Sequence, residues 1–347
     1  MEKIKELTSL KEVDDIVIDP ERKLYSATHE EILAGFTTDI YFIRAAEIIK
    51  HFNLQDTVVA AEVFANNRGV LAGVKEVLNL FKKKEIEIYS LDEGETFEKK
   101  EVIMVLKGKY SDFAIFETAL LGILASSSGW ATAAREVKEA AGALPVYCFG
   151  ARHLHPAVAP VMERAAVVGG ADGCSCVLAA KLLGREPVGT VPHAVFLIVG
   201  DTVKVAVAYH EIMPQNSPRI ILVDTFKDEA EETLRVAGVL GKNLNGVRLD
   251  TPGERGGVTP EMVQEIRIRL NKEGYEYVKI LVSGGITVDK IKALKEAGTD
   301  AFGVGSYIAR APAIDMTMDI KEINGREIAK RGRIPGLRDF SRLKRIN

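Results

Sequence analysis

The sequence predicts an α/β N-terminal domain followed by an irregular α/β barrel of roughly seven strands. Three observations carry this. Beyond residue 144, short β-branched runs alternate with helical patterns about every 25 to 35 residues, which implies parallel strands joined by right-handed crossovers. Polar or glycine residues follow the C-terminal end of each run, as at the mouth of a barrel. Near the end of the chain, Asn324-Gly325 between two β-like runs is a strong hairpin signal.

Taken in order, 30–51 and 68–84 read as helices, and 85–91 and 102–106 as strands by alternation and apolar content. A long helical stretch over 111–141 ends at Gly142. The predicted barrel strands are 145–148, 173–176, 187–190, 220–223, 246–249, 280–282 and 301–304, with helices at 156–168, 227–240, 260–272 and 288–297. Runs at 316–320 and 327–330 flank Asn324-Gly325. This hairpin is expected to pack back on the N-terminal domain. The expected division is therefore 1–115 with 316–347, and 116–315.

The chain has 347 residues, 47% hydrophobic and 27% charged, with a formal net charge of -3. That balance predicts no attraction to nucleic acid or membranes, so a small anionic substrate has to be caught by local groups. No uninterrupted apolar run reaches the ~18 residues of a membrane span, and 1–18 lacks the apolar core of a signal peptide. The expected location is the cytoplasm. Three cysteines, Cys148, Cys174 and Cys176, argue against a disulfide framework.

The residues that follow the predicted strands are Phe149-Gly150-Ala151-Arg152-His153, Ser175, Gly189-Thr190 with His193, Asp224-Thr225, Arg248 with Asp250, Ser283-Gly284-Gly285 and Gly303-Val304-Gly305-Ser306. The last two are small turns before predicted helices. Glycine admits backbone N–H groups close to an anion, and the final two strand loops of such a barrel are the usual phosphate grip. Ordinary tight turns are the competing reading. Asp224 and Asp250 end neighbouring strands and suit one ribose or one Mg²⁺; capping the following helices is the alternative. Arg152 and Arg248 present planar guanidinium groups to carboxylate or phosphate, or form structural ion pairs. Arg135, on the preceding helix, reaches a pyrophosphate or lies on the surface. His153, His155, Cys174 and Cys176 invite a zinc reading, but their spacing matches no standard site and the cysteines suit a core.

These segments, together with Thr38-Asp39-Ile40-Tyr41 and Ser128-Gly129-Trp130-Ala131-Thr132, resemble in order the nicotinate phosphoribosyltransferases, within the group that includes the quinolinate and nicotinamide enzymes. The likeness runs from about residue 35 to 310. It departs at Cys174-Ser175, where the family usually has Thr-Ser. The resemblance implies transfer of phosphoribose from 5-phosphoribosyl-1-diphosphate to nicotinate, in NAD biosynthesis. It implies Phe149 and Tyr41 sandwiching the pyridine ring, with Tyr41 reaching a neighbouring subunit's site, hence a homodimer or higher oligomer with shared active sites. Arg135, Arg152, Ser175 and Arg248 then line the substrate, and Asp224 and Asp250 hold ribose and Mg²⁺. Ser283, Gly284, Gly285, Gly303, Gly305 and Ser306 hold phosphate. His193 matches the histidine that takes a phosphoryl group from ATP in several members; hydrogen bonding to substrate phosphate is its plainer role. Ser175 stands where the nicotinamide enzymes carry an aspartate, so its hydroxyl is expected to donate to a carboxylate. Decarboxylating transfer to quinolinate, another sugar-phosphate enzyme, and a non-catalytic phosphate-binding relative are the alternatives.

Overall fold

A computed structural model describes residues 4–347. The chain divides into two compact units, one running to Ala131 and resuming over Pro312–Asn347, the other comprising Thr132–Ala311.

The first unit is built on a six-stranded antiparallel sheet. Its strands lie in the order Arg326–Glu327, Met316–Ile323, Val58–Ala65, Val102–Lys109, Ile86–Ser90 and Lys344–Arg345. The C-terminal hairpin therefore joins the N-terminal sheet, as expected, with Val63 opposite both Met104 and Met318. Asn324 (φ 49°) and Gly325 (φ 75°) make the turn in the left-handed region that the Asn-Gly pair tolerates. Alternation sets the core: Ile86, Ile88 and Ser90 are buried while Glu87 and Tyr89 are only partly so.

Two predicted helices are shorter than their patterns. The 30–51 pattern forms His29–Leu33 and Ile40–His51, broken where Gly35 turns at φ 79°. The 68–84 pattern is helical only over Val74–Leu80, because Gly69–Val70 pairs as a short strand with Thr96–Phe97.

The 111–141 pattern begins as a helical turn over Tyr110–Phe113 and a 3-10 turn over Ala114–Phe116, then runs as one helix over Glu117–Ala141. The division between units falls inside this helix, not at residue 115. The reason is burial: Leu120 and Leu124, on its first half, belong to the core of the N-terminal unit. By length and composition, Tyr110–Ala141 is apolar enough to cross a membrane, which an uninterrupted-run criterion misses because Glu117 breaks the run. Half of its most apolar window is buried inside the protein.

The second unit carries a barrel-like parallel sheet in the order Gly173–Cys174, Val146–Cys148, Ala301–Val304, Lys279–Val282, Gly246–Leu249 and Ile220–Leu222. Its central strands are apolar runs, as burial on both faces demands: Val247, Leu249, Ile280, Val282, Phe302 and Val304 are all fully buried. Six strands form, where seven were expected. The segment predicted as the third strand is extended chain, and Val188 N–H bonds the Cys174 carbonyl at 2.9 Å. Helices Ala159–Gly169, Glu229–Leu240, Pro260–Lys272 and Val288–Glu296 form close to their expected places.

Candidate active site

The C-terminal ends of the parallel strands bring together most of the residues singled out from the sequence. A cavity of about 340 Å³ is lined by Phe149, Arg152, Ser175, Thr190, His193, Leu222, Arg248 and Asp250, with Ala151, Gly189, Val191 and Pro192 completing the wall. The register explains the convergence. Cys148 pairs with Cys174, and Leu222 with Arg248, so adjacent strands end level and release their loops at one height.

Arg248 is the hub. Its Nε donates to Ser283 Oγ at 2.8 Å, one terminal nitrogen donates to Thr190 Oγ1 at 3.1 Å, and the other donates to Asp250 Oδ2 at 3.2 Å. The guanidinium also sits 5.2 Å from the Phe149 ring centre, in cation–π range. Ser283 Oγ in turn donates to Asp250 Oδ1 at 2.9 Å. Two strand ends and the extended segment at Thr190 are thus joined by one planar fork, a geometry arginine supplies and lysine does not.

His193 Nε2 lies 3.0 Å from Asp224 Oδ2. The Asp224 carboxyl has no exposure, whereas the His193 ring is 39% exposed. Burial pushes the Asp224 carboxyl above the usual aspartate range, and the His193 contact partly offsets this. A carboxylate only accepts, so Nε2–H donates to it, and Nδ1 is the ring nitrogen that Asp224 does not engage. Asp224 Oδ1 is buried without a partner among the described residues.

Two glycines are required by close approach. A Cβ on Gly303 would meet Phe149 Cε2 at 2.5 Å, so the ring packs directly on that backbone. A Cβ on Gly305 would meet the Phe149 carbonyl oxygen at 2.8 Å and His153 Nε2 at 3.1 Å. Both anticipated phosphate loops lie beside the Phe149–Arg248 cluster, but neither lines the cavity itself. Ser283 spends its hydroxyl on Asp250 and Arg248, and Ser306 opens a single helical turn, Ser306–Ala309.

Arg135 differs from expectation. Its Nε donates to the Gly169 carbonyl at 2.7 Å and it does not line the cavity. Tyr41 belongs to the N-terminal unit, where it is 55% exposed and lines a separate cavity of about 480 Å³ with Tyr110, Glu117, Asp319 and Lys330. Burial raises Glu117 to about 7 and Tyr110 to about 12. Cys148 and Cys174 are core residues and Cys176 is half-buried; burial pushes the Cys148 thiol up, and Cys174 to about 11. No group of three or more His, Cys, Asp or Glu among the described residues is arranged to hold a metal.

Ser175 also departs from expectation. Its hydroxyl, anticipated as a donor to substrate, instead donates to Glu163 Oε1 at 3.0 Å. Glu163 itself went unnoticed in the sequence. A signal was there: it falls among Ala159, Met162 and Ala166, on the buried stripe of a helix whose other charged residue is Arg164, and a charge so placed has to be partnered.

The chain matches the family models described as quinolinate phosphoribosyl transferase N-terminal domain, over residues 39–128, and C-terminal domain, over residues 130–319. It belongs to the quinolinate phosphoribosyl transferase family. Within the wider nicotinate/quinolinate group, a nicotinate phosphoribosyltransferase of Mycobacterium tuberculosis is 27% identical over 248 residues, covering 69% of this chain and 54% of that protein. The chain thus spans about half the length of the nicotinate enzymes it matches there. A probable carboxylating nicotinate-nucleotide pyrophosphorylase of Archaeoglobus fulgidus is 26% identical, covering 76% of this chain and 94% of that one. Among solved structures, the nicotinate-nucleotide pyrophosphorylase of Pyrococcus furiosus is 45% identical with a TM-score of 0.87, covering 91% of this chain and 82% of that chain. The human nicotinic acid phosphoribosyltransferase, 18% identical with a TM-score of 0.70, shares the fold.

Proposed function

We propose that this protein transfers the 5-phosphoribosyl group from 5-phosphoribosyl-1-diphosphate to nicotinate, giving nicotinate mononucleotide for NAD synthesis in the cytoplasm. The observation that carries the choice of substrate is the charge inventory of the cavity. Arg248 is committed to Asp250, Ser283 and Thr190. Arg152 lines the same cavity with no hydrogen-bond or ion-pair partner among the described residues. One uncommitted guanidinium suits one carboxylate, and a second carboxylate would enter without a counter-charge.

In this reading the pyridine ring lies against Phe149 and its nitrogen attacks C1 of the ribose. The C1–O bond breaks, and the electron pair leaves with diphosphate. Asp250, held rigid by Arg248 and Ser283, orients the ribose hydroxyls. The donor set fits a hard cation, because Asp224 offers a buried oxygen without a partner and Asp250 is a second carboxylate. Asp224 and Asp250 would hold Mg²⁺, which when bound neutralises the charge of the departing diphosphate. His193, with Nε2–H held by Asp224, presents Nδ1 as the nucleophile toward the terminal phosphorus of ATP. ADP leaves, and the Asp224 carboxylate stabilises the charged ring. The shared-site homodimer belongs to the same reading, supported by the exposure of Tyr41.

Both family-model matches and the 45% identical Pyrococcus furiosus protein favour a second reading, decarboxylating transfer to quinolinate. One assay separates them. The purified protein is given phosphoribosyl diphosphate with labelled nicotinate, quinolinate or nicotinamide, with and without ATP. Nicotinate is expected to have the highest kcat/KM; quinolinate as best substrate, with release of CO₂, would establish the second reading instead.

A further inference from the structure

Glu163 is fully buried on the helix Ala159–Gly169, behind the cavity wall and outside the substrate-lining residues. Four donors converge on its carboxylate. Gly150 N–H and Ala151 N–H reach Oε1 at 3.1 Å each, Ser175 Oγ reaches Oε1 at 3.0 Å, and Cys176 N–H reaches Oε2 at 2.5 Å. These donors come from two different strand ends. Gly150 and Ala151 belong to the loop that carries Phe149 and Arg152, and Ser175 and Cys176 belong to the neighbouring one.

We propose that Glu163 is a positioning and specificity residue for the pyridine pocket: it locks both loops in one geometry and turns the Ser175 hydroxyl proton away from the substrate. This rests on the transferase reading above. None of these three amides has another hydrogen-bond acceptor among the described residues, so the carboxylate satisfies backbone donors that would otherwise be orphaned as the strands end. A carboxylate has no proton to give, so Ser175 must donate to it. The Ser175 oxygen therefore faces the cavity as an acceptor only. It cannot grip a substrate carboxylate, and that task falls to Arg152, whose loop Glu163 also fixes.

Glu163→Gln tests this. A carboxamide has one acceptor oxygen and one NH₂, so in either orientation at least one of the four donors meets another donor. Hydrogen exchange read in the absence of substrate should speed up by about tenfold or more at Cys176, or at Ala151 in the flipped orientation, leaving residues 303–306 as in the wild type. In steady-state kinetics the KM for nicotinate should rise about tenfold or more. The KM for phosphoribosyl diphosphate should stay within about twofold. A merely structural role would lower the thermal midpoint and the active fraction without separating the two KM values. Unchanged exchange at Ala151 and Cys176 and an unchanged nicotinate KM in the folded variant would overturn the proposal. If the variant does not fold, the wild type decides, because Ala151 and Cys176 are only part-buried. Slow exchange at both is expected, and exchange at the open rate of an unbonded loop amide would refute the role. Loss of protection in the variant, combined with turnover of no pyridine carboxylate by the wild type, would leave the positioning role standing and remove the transferase reading.

Discussion

Replacing Gly303 with alanine should damage the pyridine side of the site selectively. The added Cβ would stand 2.5 Å from Cε2 and 2.7 Å from Cδ2 of Phe149, and 3.1 Å from Ser283 Cβ. Carbon atoms rest at about 3.5–4.0 Å, so the ring has to move by about 1 Å. Gly303 does not occupy the left-handed region, so the substitution strains no backbone and the effect is one of contact alone. The ring is not free to yield without consequence, because its other neighbour is the Arg248 guanidinium, 5.2 Å from its centre. Overpacking of this kind costs about 1–3 kcal/mol. Expressed wholly in substrate binding, that is a rise of about 5- to 150-fold in the nicotinate KM at 1.4 kcal/mol per decade. The assay is steady-state kinetics with each substrate varied in turn, alongside a thermal melt to establish that the variant is folded. A nicotinate KM within about twofold of wild type in the folded variant would refute the placement of the ring against Phe149. A rise confined to phosphoribosyl diphosphate would refute it equally, and would assign Gly303 to the phosphate side.

Further expectations follow from the same geometry. Incubation with γ-³²P-labelled ATP should label the wild type and not His193→Ala; equal labelling of both would move the phosphoryl acceptor elsewhere. Tyr41→Ala and Arg248→Ala proteins, each inactive alone, should regain partial activity when subunits are exchanged, since in a shared site one mixed cavity keeps both residues. No recovery after demonstrated exchange would mean that Tyr41 serves no neighbouring site. Glu117→Gln should remove a pH dependence of stability. Burial holds the folded Glu117 near 7, above its ordinary 4.5, with Asp319 adding to the rise and Lys330 opposing it. The folded state binds the proton more tightly, so wild-type stability is full below the unfolded pKa and falls as pH rises toward 7. The slope is at most about 1.4 kcal/mol per pH unit. Thermal midpoints of the variant relative to the wild type should therefore climb across that window and level off above it. Parallel curves would show that the carboxyl is not desolvated.

The sequence by itself determined the class of fold, the return of the C-terminal hairpin, and most of the cavity wall. Period and punctuation are local. Alternating apolar runs announce strands, and in a parallel sheet every strand end opens on the same side, so listing the residues after each run lists the candidate site. Phe149, Arg152, Ser175, His193, Arg248 and Asp250 were found in that way and do share one cavity. What depended on pairing was not legible. The segment 187–190 has strand-like composition, yet it contributes one backbone bond through Val188 and remains outside the sheet. The division between units falls at Ala131 because Leu120 and Leu124 pack into the N-terminal core, and a helix repeats the same pattern on both sides of such a boundary. Arg135 is bound to Gly169, and Ser175 gives its proton to Glu163, because hydrogen-bond partners are chosen by residues distant in sequence. Glu163 itself shows the limit most clearly. Its place on a buried helical stripe marks it as a charge in need of partners, but only the tertiary structure reveals that those partners are the two loops that shape the site.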